Sequence, residues 1–309
     1  MKKMIFPKPL KKGAKIAVIS PAGAVEPSQL EKGIEMIKSR GFEPVLGKHL
    51  YTKFSNGYNY AGTEQERIKD INWALNDKEI GAIWASRGGY GCQHLVQHLK
   101  LKNFTENPKW YIGYSDNTVI QSYLLKKGFV SIHGQTIKTS SFGVTDESYN
   151  GIFDILKGKT PKYSLQPHKL NKKGNIEGEV IGGNLALVYA LLGTSYSFDF
   201  KDKILFIEDI GENFYALDRM IMSLELAGVF KKIKGLIVGG MTNMGDEKDN
   251  KSYEESFDEF AYQLISERIS KYKFPVVFGF PNGHIKDNRP LLIGGNAKVK
   301  IDTNVKIEF

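Results

Sequence analysis

The first 130 residues alternate short apolar runs with amphipathic, capped stretches, and few architectures accommodate that alternation. Ala14 to Ser20 (AKIAVIS) has the apolar run of a buried strand and is followed by a loop through Pro21-Ala22-Gly23. Ser28 and Glu31 have capping-box spacing and predict a helix that Gly41 closes. Glu43 to Leu46 is a second short strand, and Thr63 with Glu66 caps a helix reaching Leu75. Ile80 to Ala85 and Trp110 to Tyr114 read as strands, with helices over Gly91 to Leu99 and Asn117 to Lys127. Strands alternating with helices at this spacing imply a mainly parallel, doubly wound α/β sheet covered on both faces.

The pattern changes after residue 155. The stretch LKGKTPKYSLQPHKLNKKG is polar, rich in lysine and broken by two prolines, so 156–175 reads as a linker or crossover. Beyond it, strands are expected at Glu179 to Ile181, Lys203 to Ile207, Gly235 to Val238 and Val276 to Phe280. Two or three closely spaced strands follow between Leu291 and Glu308. Helices are expected over Asn184 to Leu192, Phe214 to Ala227 and Glu254 to Ser270. The expectation is an N-terminal α/β domain over 1–155 and a strand-rich, mixed α/β domain over 176–309.

Composition narrows the class. With 41% hydrophobic and 25% charged residues among 309, the chain can bury a large core. No apolar run approaches the roughly 18 residues of a membrane span, and the stretch MKKMIFPKPLKKG lacks a signal-peptide core. A cytoplasmic location is expected. The single cysteine, Cys92, excludes an intrachain disulfide and a multi-cysteine metal site. A net charge of +9 invites a nucleic-acid reading, but the lysines are scattered and no recognition signature accompanies them. The surplus charge can instead steer an anionic small substrate.

Within this frame, Ile112-Gly113-Tyr114-Ser115-Asp116-Asn117 places a serine at a strand-to-helix turn. A serine so placed is held clear of its neighbours, and the N–H after it can face a developing oxyanion. Asn117 stands where the usual pattern has its second glycine.

A serine hydroxyl needs a base, and the base needs a carboxylate to orient it. Of the six histidines, His284 follows an apolar strand and a Pro281-Asn282-Gly283 turn, where open α/β sheets gather their functional loops. His133 follows a short strand and fits either a site wall or a packed turn. His94 and His98 share a helix face but lack the glutamate of a zinc-protease helix, and a solvated face is the simpler reading. Glu208 and Asp209 end the apolar run Ile204 to Ile207. Ser115, Glu208 and His284 therefore run in the order serine, acid, histidine, each after an apolar strand. The turn Ser86-Arg87-Gly88-Gly89-Tyr90-Gly91 is no nucleotide-binding loop, yet it can offer bare N–H groups to an oxyanion beside that of Asp116. Arg87 fits either paired hydrogen bonds to a substrate carboxylate or a surface ion pair.

Taken in order, several segments resemble the serine LD-carboxypeptidases (muramoyltetrapeptide carboxypeptidases). They are Val18 to Gly23, Ser86 to Gly91, Pro108 to Asp116, His133-Gly134, Gly182 to Leu185, Phe206 to Asp209 and Gly283-His284. The resemblance implies a Ser115–Glu208–His284 triad in a cleft between two domains and an oxyanion hole from the backbone of Gly89 and Asp116. Substrate would lie against Arg87, Gly88 and Tyr90. It further implies release of terminal D-alanine from a cytoplasmic muropeptide during peptidoglycan recycling, no metal or cofactor, and often a homodimer. A second branch, of microcin-immunity type, cleaves aminoacyl-nucleotide conjugates. The form Arg87-Gly88-Gly89-Tyr90-Gly91 and the modest length resemble the recycling branch. Ser86 departs from the alanine commoner there, and the resemblance gives Asn184 no role. Outside the family, a peptide- or sugar-binding protein keeps the architecture without needing an activated serine, and a simple esterase keeps the serine chemistry.

Overall fold

The computed structural model describes residues 4–245 and 259–309. Its elements in chain order are β1 (Lys15–Ile19), α1 (Pro27–Ser39), β2 (Glu43–Leu46), a small hairpin of β3 (Phe54–Ser55) and β4 (Asn59–Tyr60), α2 (Glu64–Asn76) and β5 (Ile80–Ala85). Next come α3 (Cys92–Leu95), β6 (Trp110–Gly113), α4 (Thr118–Lys126), β7 (Ser131–His133), α5 (Asp146–Leu156) and β8 (Lys162–Leu165). Then follow β9 (Gly174–Asn184), α6 (Leu185–Ala190), β10 (Ile204–Ile210), α7 (Phe214–Leu226), α8 (Val229–Lys232) and β11 (Gly235–Thr242). The chain ends with α9 (Glu259–Arg268), β12 (Val276–Phe278), β13 (Leu291–Ile293), β14 (Asn296–Ile301) and β15 (Val305–Glu308).

Two sheets carry the fold. The first runs β13-β7-β6-β5-β1-β2 and is parallel except for β13. Along β1 the side chains divide between its faces: Ile16 and Val18 join Leu30, Ile37, Ile152 and Phe153 of α1 and α5. Ala17 and Ile19 join Ile71 and Leu75 of α2 with Val119 and Leu124 of α4. A strand buried on both sides must be apolar throughout, which is why AKIAVIS does not alternate.

The second sheet runs β12-β11-β10-β9-β14-β15-β8. Its β12-β11-β10-β9 half is parallel and its β9-β14-β15-β8 half antiparallel. The long strand β9 serves both halves, pairing through Gly174–Glu179 with β14 and through Val180–Asn184 with β10. Helix α4 lies against α6 and β9, so the core beneath the first sheet continues into the second as one apolar layer. Each fully buried leucine or isoleucine in that layer contributes about 1.5–3 kcal/mol of transfer free energy, which resists separation of the sheets.

Some elements depart from the sequence reading. Helix α1 begins at Pro27 rather than Ser28, with Glu26 as its N-cap and the Gln29 side chain accepting the Glu26 N–H at 3.0 Å. Proline at the first helical position wins because its φ is preset and its missing N–H would be unpaired there anyway. The Thr63–Glu66 box forms as expected. The helix expected over Gly91 to Leu99 is a short α-turn followed by a 3₁₀ turn, Val96–His98. Leu291–Ile293 leaves its sequence neighbours and pairs antiparallel with β7 of the first sheet, while β14 and β15 join the second. Gly294, at φ +90°, makes the reversal between them. The segment 156–175 contains β8, an edge strand of the second sheet. Of the helix expected over Glu254 to Ser270, residues 254–258 lie outside the described residues. Among the described residues no helix is long and apolar enough to cross a membrane.

Candidate active site

The carboxyl ends of β1, β5 and β6 meet where the first sheet's strand order reverses, because β1 connects outward to β2 and β5 leads back the other way. Ligands of open α/β sheets bind at such a switch point. Here the loops after β1 and β5 touch: Gly23 N–H donates to Gly88 O at 3.1 Å. The Ser86 hydroxyl is buried and lies 2.6 Å from that of Ser20, which in turn donates to Leu50 O. Serine at position 86 thus has a local partner that alanine would lack.

Ser115 follows β6 and opens a 3₁₀ turn, Ser115–Asn117, that runs into α4. Its φ is +62°, a left-handed conformation that costs a non-glycine residue about 1–2 kcal/mol. Two neighbours make that turn possible. A Cβ on Gly113 would lie 2.8 Å from Asn117 Cγ, so glycine lets Asn117 fold back over the strand end. Asn117 then donates to Tyr114 O at 3.0 Å and accepts from the Tyr111 hydroxyl at 2.6 Å. Asparagine thereby braces the turn at the position where a second glycine was expected. On the other side, a Cβ on Gly88 would lie 2.9 Å from Ser115 Cβ. The glycine-rich loop therefore lies directly against the serine.

His284 and Glu208 come from the second sheet. Glu208 lies fully buried near the carboxyl end of β10; His284 sits in the loop after β12, only 7% exposed. His284 Nδ1 is 2.8 Å from Glu208 Oε2. Gly283, at φ +123°, permits the approach, since a Cβ there would lie 2.8 Å from Glu208 Oε2. The Thr242 hydroxyl donates to His284 O and Asn288 Oδ1 accepts the Gly283 N–H, fixing the loop. Burial alone would push the Glu208 carboxyl up; the adjoining His284, bonded to it at 2.8 Å, does most to outweigh that and hold the carboxyl below its ordinary value. Asp209 is pushed up to about 7 by burial and by Glu208, although Asn184 and Ile210 N–H bind its ionised form. Asn184, without a role from the sequence, caps α6 and links Asp209 to Thr118 at the start of α4.

Ser115 and His284 face one cavity of about 410 Å³, whose walls also include Arg87, Gly88, Gly89, Thr136 and Lys138. Gly89, at φ +108°, exposes its backbone there. Asp116 lies behind the wall: its carboxylate accepts the Cys92 N–H at 2.8 Å, and burial pushes it up to about 6 against that bond. Arg87 donates to Ala24 O at 2.8 Å and also lines a neighbouring cavity of about 470 Å³ with Ser55, Gly57, Tyr58 and Asn59. Tyr90 is not a wall of the Ser115 cavity; its ring packs against Tyr58, Tyr60 and His94. His98 lies 3.8 Å from Glu64 on the surface.

Lys138 escaped the sequence reading. It is half-buried, and both desolvation and the charge of Arg87 push its ammonium down. Two cations in one cavity, with no carboxylate among its wall residues, form an environment for an anion. No motif marks Lys138, which sits in a 3₁₀ turn, Lys138–Phe142, just past the His133-Gly134 segment.

A family model described as the LD-carboxypeptidase N-terminal domain matches residues 16–134, and one described as the LD-carboxypeptidase C-terminal domain matches 177–299. A Bacillus subtilis protein named "Probable murein peptide carboxypeptidase" is 31% identical, covering 94% of this chain and 90% of its own. The crystal structure of muramoyltetrapeptide carboxypeptidase from Oxalobacter formigenes superposes with a TM-score of 0.82 at 28% identity, covering 95% of this chain and 98% of that one. The microcin C7 self-immunity protein of Escherichia coli is 27% identical over 93% of this chain and 90% of its own.

Proposed function

The chain belongs to the LD-carboxypeptidase family of serine peptidases, and on that footing we propose that it hydrolyses the L-to-D peptide bond that releases terminal D-alanine from muropeptide tetrapeptides, with Ser115 as nucleophile. The observation that carries the reading is the shared cavity: a strained serine and a carboxylate-bound histidine, from different sheets, face the same space.

In the proposed mechanism the neutral His284 donates its Nδ1–H to Glu208, which leaves Nε2 as the base. Nε2 takes the Ser115 proton as Oγ adds to the scissile carbonyl. The oxyanion is received by the N–H groups of Gly89 and Asp116. Collapse expels the D-alanine amine, which takes the proton from His284, and Ser115 holds the acyl group. Water then repeats the sequence: His284 removes its proton, the tetrahedral adduct collapses, and Ser115 is restored. Ionised Glu208 stabilises the imidazolium formed in both halves.

Arg87 and Lys138 suit the free carboxylate of the departing residue, which an exopeptidase must recognise. The adjoining cavity beyond Arg87 suits the remaining peptide. The proposal includes a cytoplasmic homodimer working in peptidoglycan recycling, with light scattering as the check on assembly. The substrate test is release of D-alanine from L-Ala-γ-D-Glu-meso-diaminopimelate-D-Ala, measured by mass spectrometry beside an aspartyl sulfamoyl adenosine and an aryl ester. Cleavage of the nucleotide conjugate alone would transfer the chain to the microcin-immunity branch; ester cleavage alone would make it an esterase.

A further inference from the structure

The mechanism above leaves His133 unused, although this fully buried histidine lies against the Glu208 carboxylate. Its orientation follows from Asn282. The Asn282 amide nitrogen donates to two carbonyls, His133 O at 3.1 Å and Arg289 O at 2.6 Å. Carbonyls only accept, so the amide cannot be turned round, and Asn282 Oδ1 is the atom facing His133 Nδ1 at 2.9 Å. Nδ1 must therefore carry a hydrogen and donate it.

The other ring nitrogen, Nε2, faces Glu208 Oε1 at 3.9 Å, too far for a hydrogen bond. Neither atom has a hydrogen-bond partner among the described residues. Burial favours the uncharged ring and pushes His133 down to about 4 against the attraction of Glu208. The ring is held by edge-on packing against Phe206 at 5.2 Å and Tyr114 at 6.1 Å, and Tyr114 also lies against His284 at 4.7 Å. Around the pair stand Glu208 and Asp209 from β10, Asn184 from β9, Tyr114 from the end of β6, and Asn282 and His284 from the loop after β12.

We propose that His133 is a positioning residue that presents a lone pair, not a donor, to Glu208, so that one carboxylate oxygen stays unbonded and the charge is held for His284. A donor at Oε1 would stabilise the carboxylate independently and weaken its grip on the protonated His284. With His133 fixed as the Nδ1–H tautomer by Asn282, the carboxylate gains most from the imidazolium that forms when Ser115 is activated. The inference rests on the proposed role of the Glu208–His284 pair, but its first test needs no substrate.

That test is nitrogen-15 NMR of the full-length protein with labelled histidine. Between pH 5.5 and 8, His133 is expected neutral, with its proton on Nδ1 and an unprotonated Nε2. A proton on Nε2 in that range overturns the proposal, whatever the enzyme's substrate. The second test is the pH dependence of kcat/KM on the tetrapeptide. In His133→Gln, an amide N–H₂ reaches toward Glu208 Oε1, and the acid limb moves down by about 0.5–1 pH unit, with KM changed less than twofold. In His133→Asn, the amide still serves Asn282 but presents nothing to Glu208, and the limb stays. If both variants move the limb alike, or neither moves it, His133 only packs the core. If His133→Gln does not fold, the His133→Asn profile and the NMR tautomer decide together: a shifted limb in His133→Asn, or a proton on Nε2, overturns the proposal.

Discussion

His284 and Glu208 lie 76 residues apart in sequence, yet His284 Nδ1 and Glu208 Oε2 are 2.8 Å apart, brought together by the parallel array of β10, β11 and β12. Glu208 lies near the carboxyl end of β10, with β11 between it and β12, and the loop after β12 folds back over it. The Asn282 carbonyl, bonded to Gly240 N–H, anchors that loop to β11. The geometry leaves no room for a side chain at 283 and none of the carboxylate exposed to solvent.

Glu208→Gln is expected to retain the fold, because the amide oxygen still accepts the His284 Nδ1–H. It can no longer balance an imidazolium. The expected loss in kcat is about 10²–10⁴-fold, with the melting temperature within a few degrees of wild type. Unfolding of this variant would make Glu208 a structural residue instead.

Lys138→Met tests the anion site. Removing one charged contact to a carboxylate costs about 1.5–3 kcal/mol, which is roughly 10–150-fold in kcat/KM for a substrate ending in D-alanine. The change should fall mainly on KM. A substrate ending in D-alaninamide should lose little, so the preference for the free acid shrinks. Equal losses on both substrates would remove Lys138 from carboxylate recognition.

Asp116→Asn concerns stability. Its folded value of about 6 exceeds the 3.8 of an ordinary aspartate, so between these values the folded protein binds more protons than the unfolded chain. Stability from this group is therefore full below pH 4 and declines as pH rises through 6, by up to about 3 kcal/mol. Asparagine keeps an acceptor for Cys92 N–H and removes the ionisation. Urea unfolding between pH 4.5 and 7 should show the variant gaining on wild type as pH rises. A constant difference across that range would contradict the assignment.

Much of this site was legible because each element carries a local signal. Ser115 follows an apolar strand and a glycine, Glu208 and His284 each follow apolar strands, and Ser86 to Gly91 is a glycine-rich turn. Such signals place residues at strand ends, where the topology then gathers them. Contacts set by tertiary packing left no such trace. Lys138 is one lysine among many, and only the folded cavity sets it near Arg87. His133 meets an Asn282 that lies 149 residues away. In the sequence Asn117 is only a missing glycine; its bracing role exists only in the folded turn. Leu291–Ile293 carries the same apolar signal as its neighbours, and nothing local says that it pairs with β7. The N-cap of α1 lies at Glu26, two residues before Ser28, because two overlapping capping patterns compete and Pro27 decides between them.

The proposed reaction turns on attack by Ser115 on an L-to-D peptide bond. The measurement that meets it most directly is D-alanine release from the murein tetrapeptide by wild-type protein and by Ser115→Ala, each first shown to be folded. Turnover by the wild type and at least about a thousandfold loss in kcat for the variant are expected. Turnover that survives in Ser115→Ala would contradict that role for Ser115.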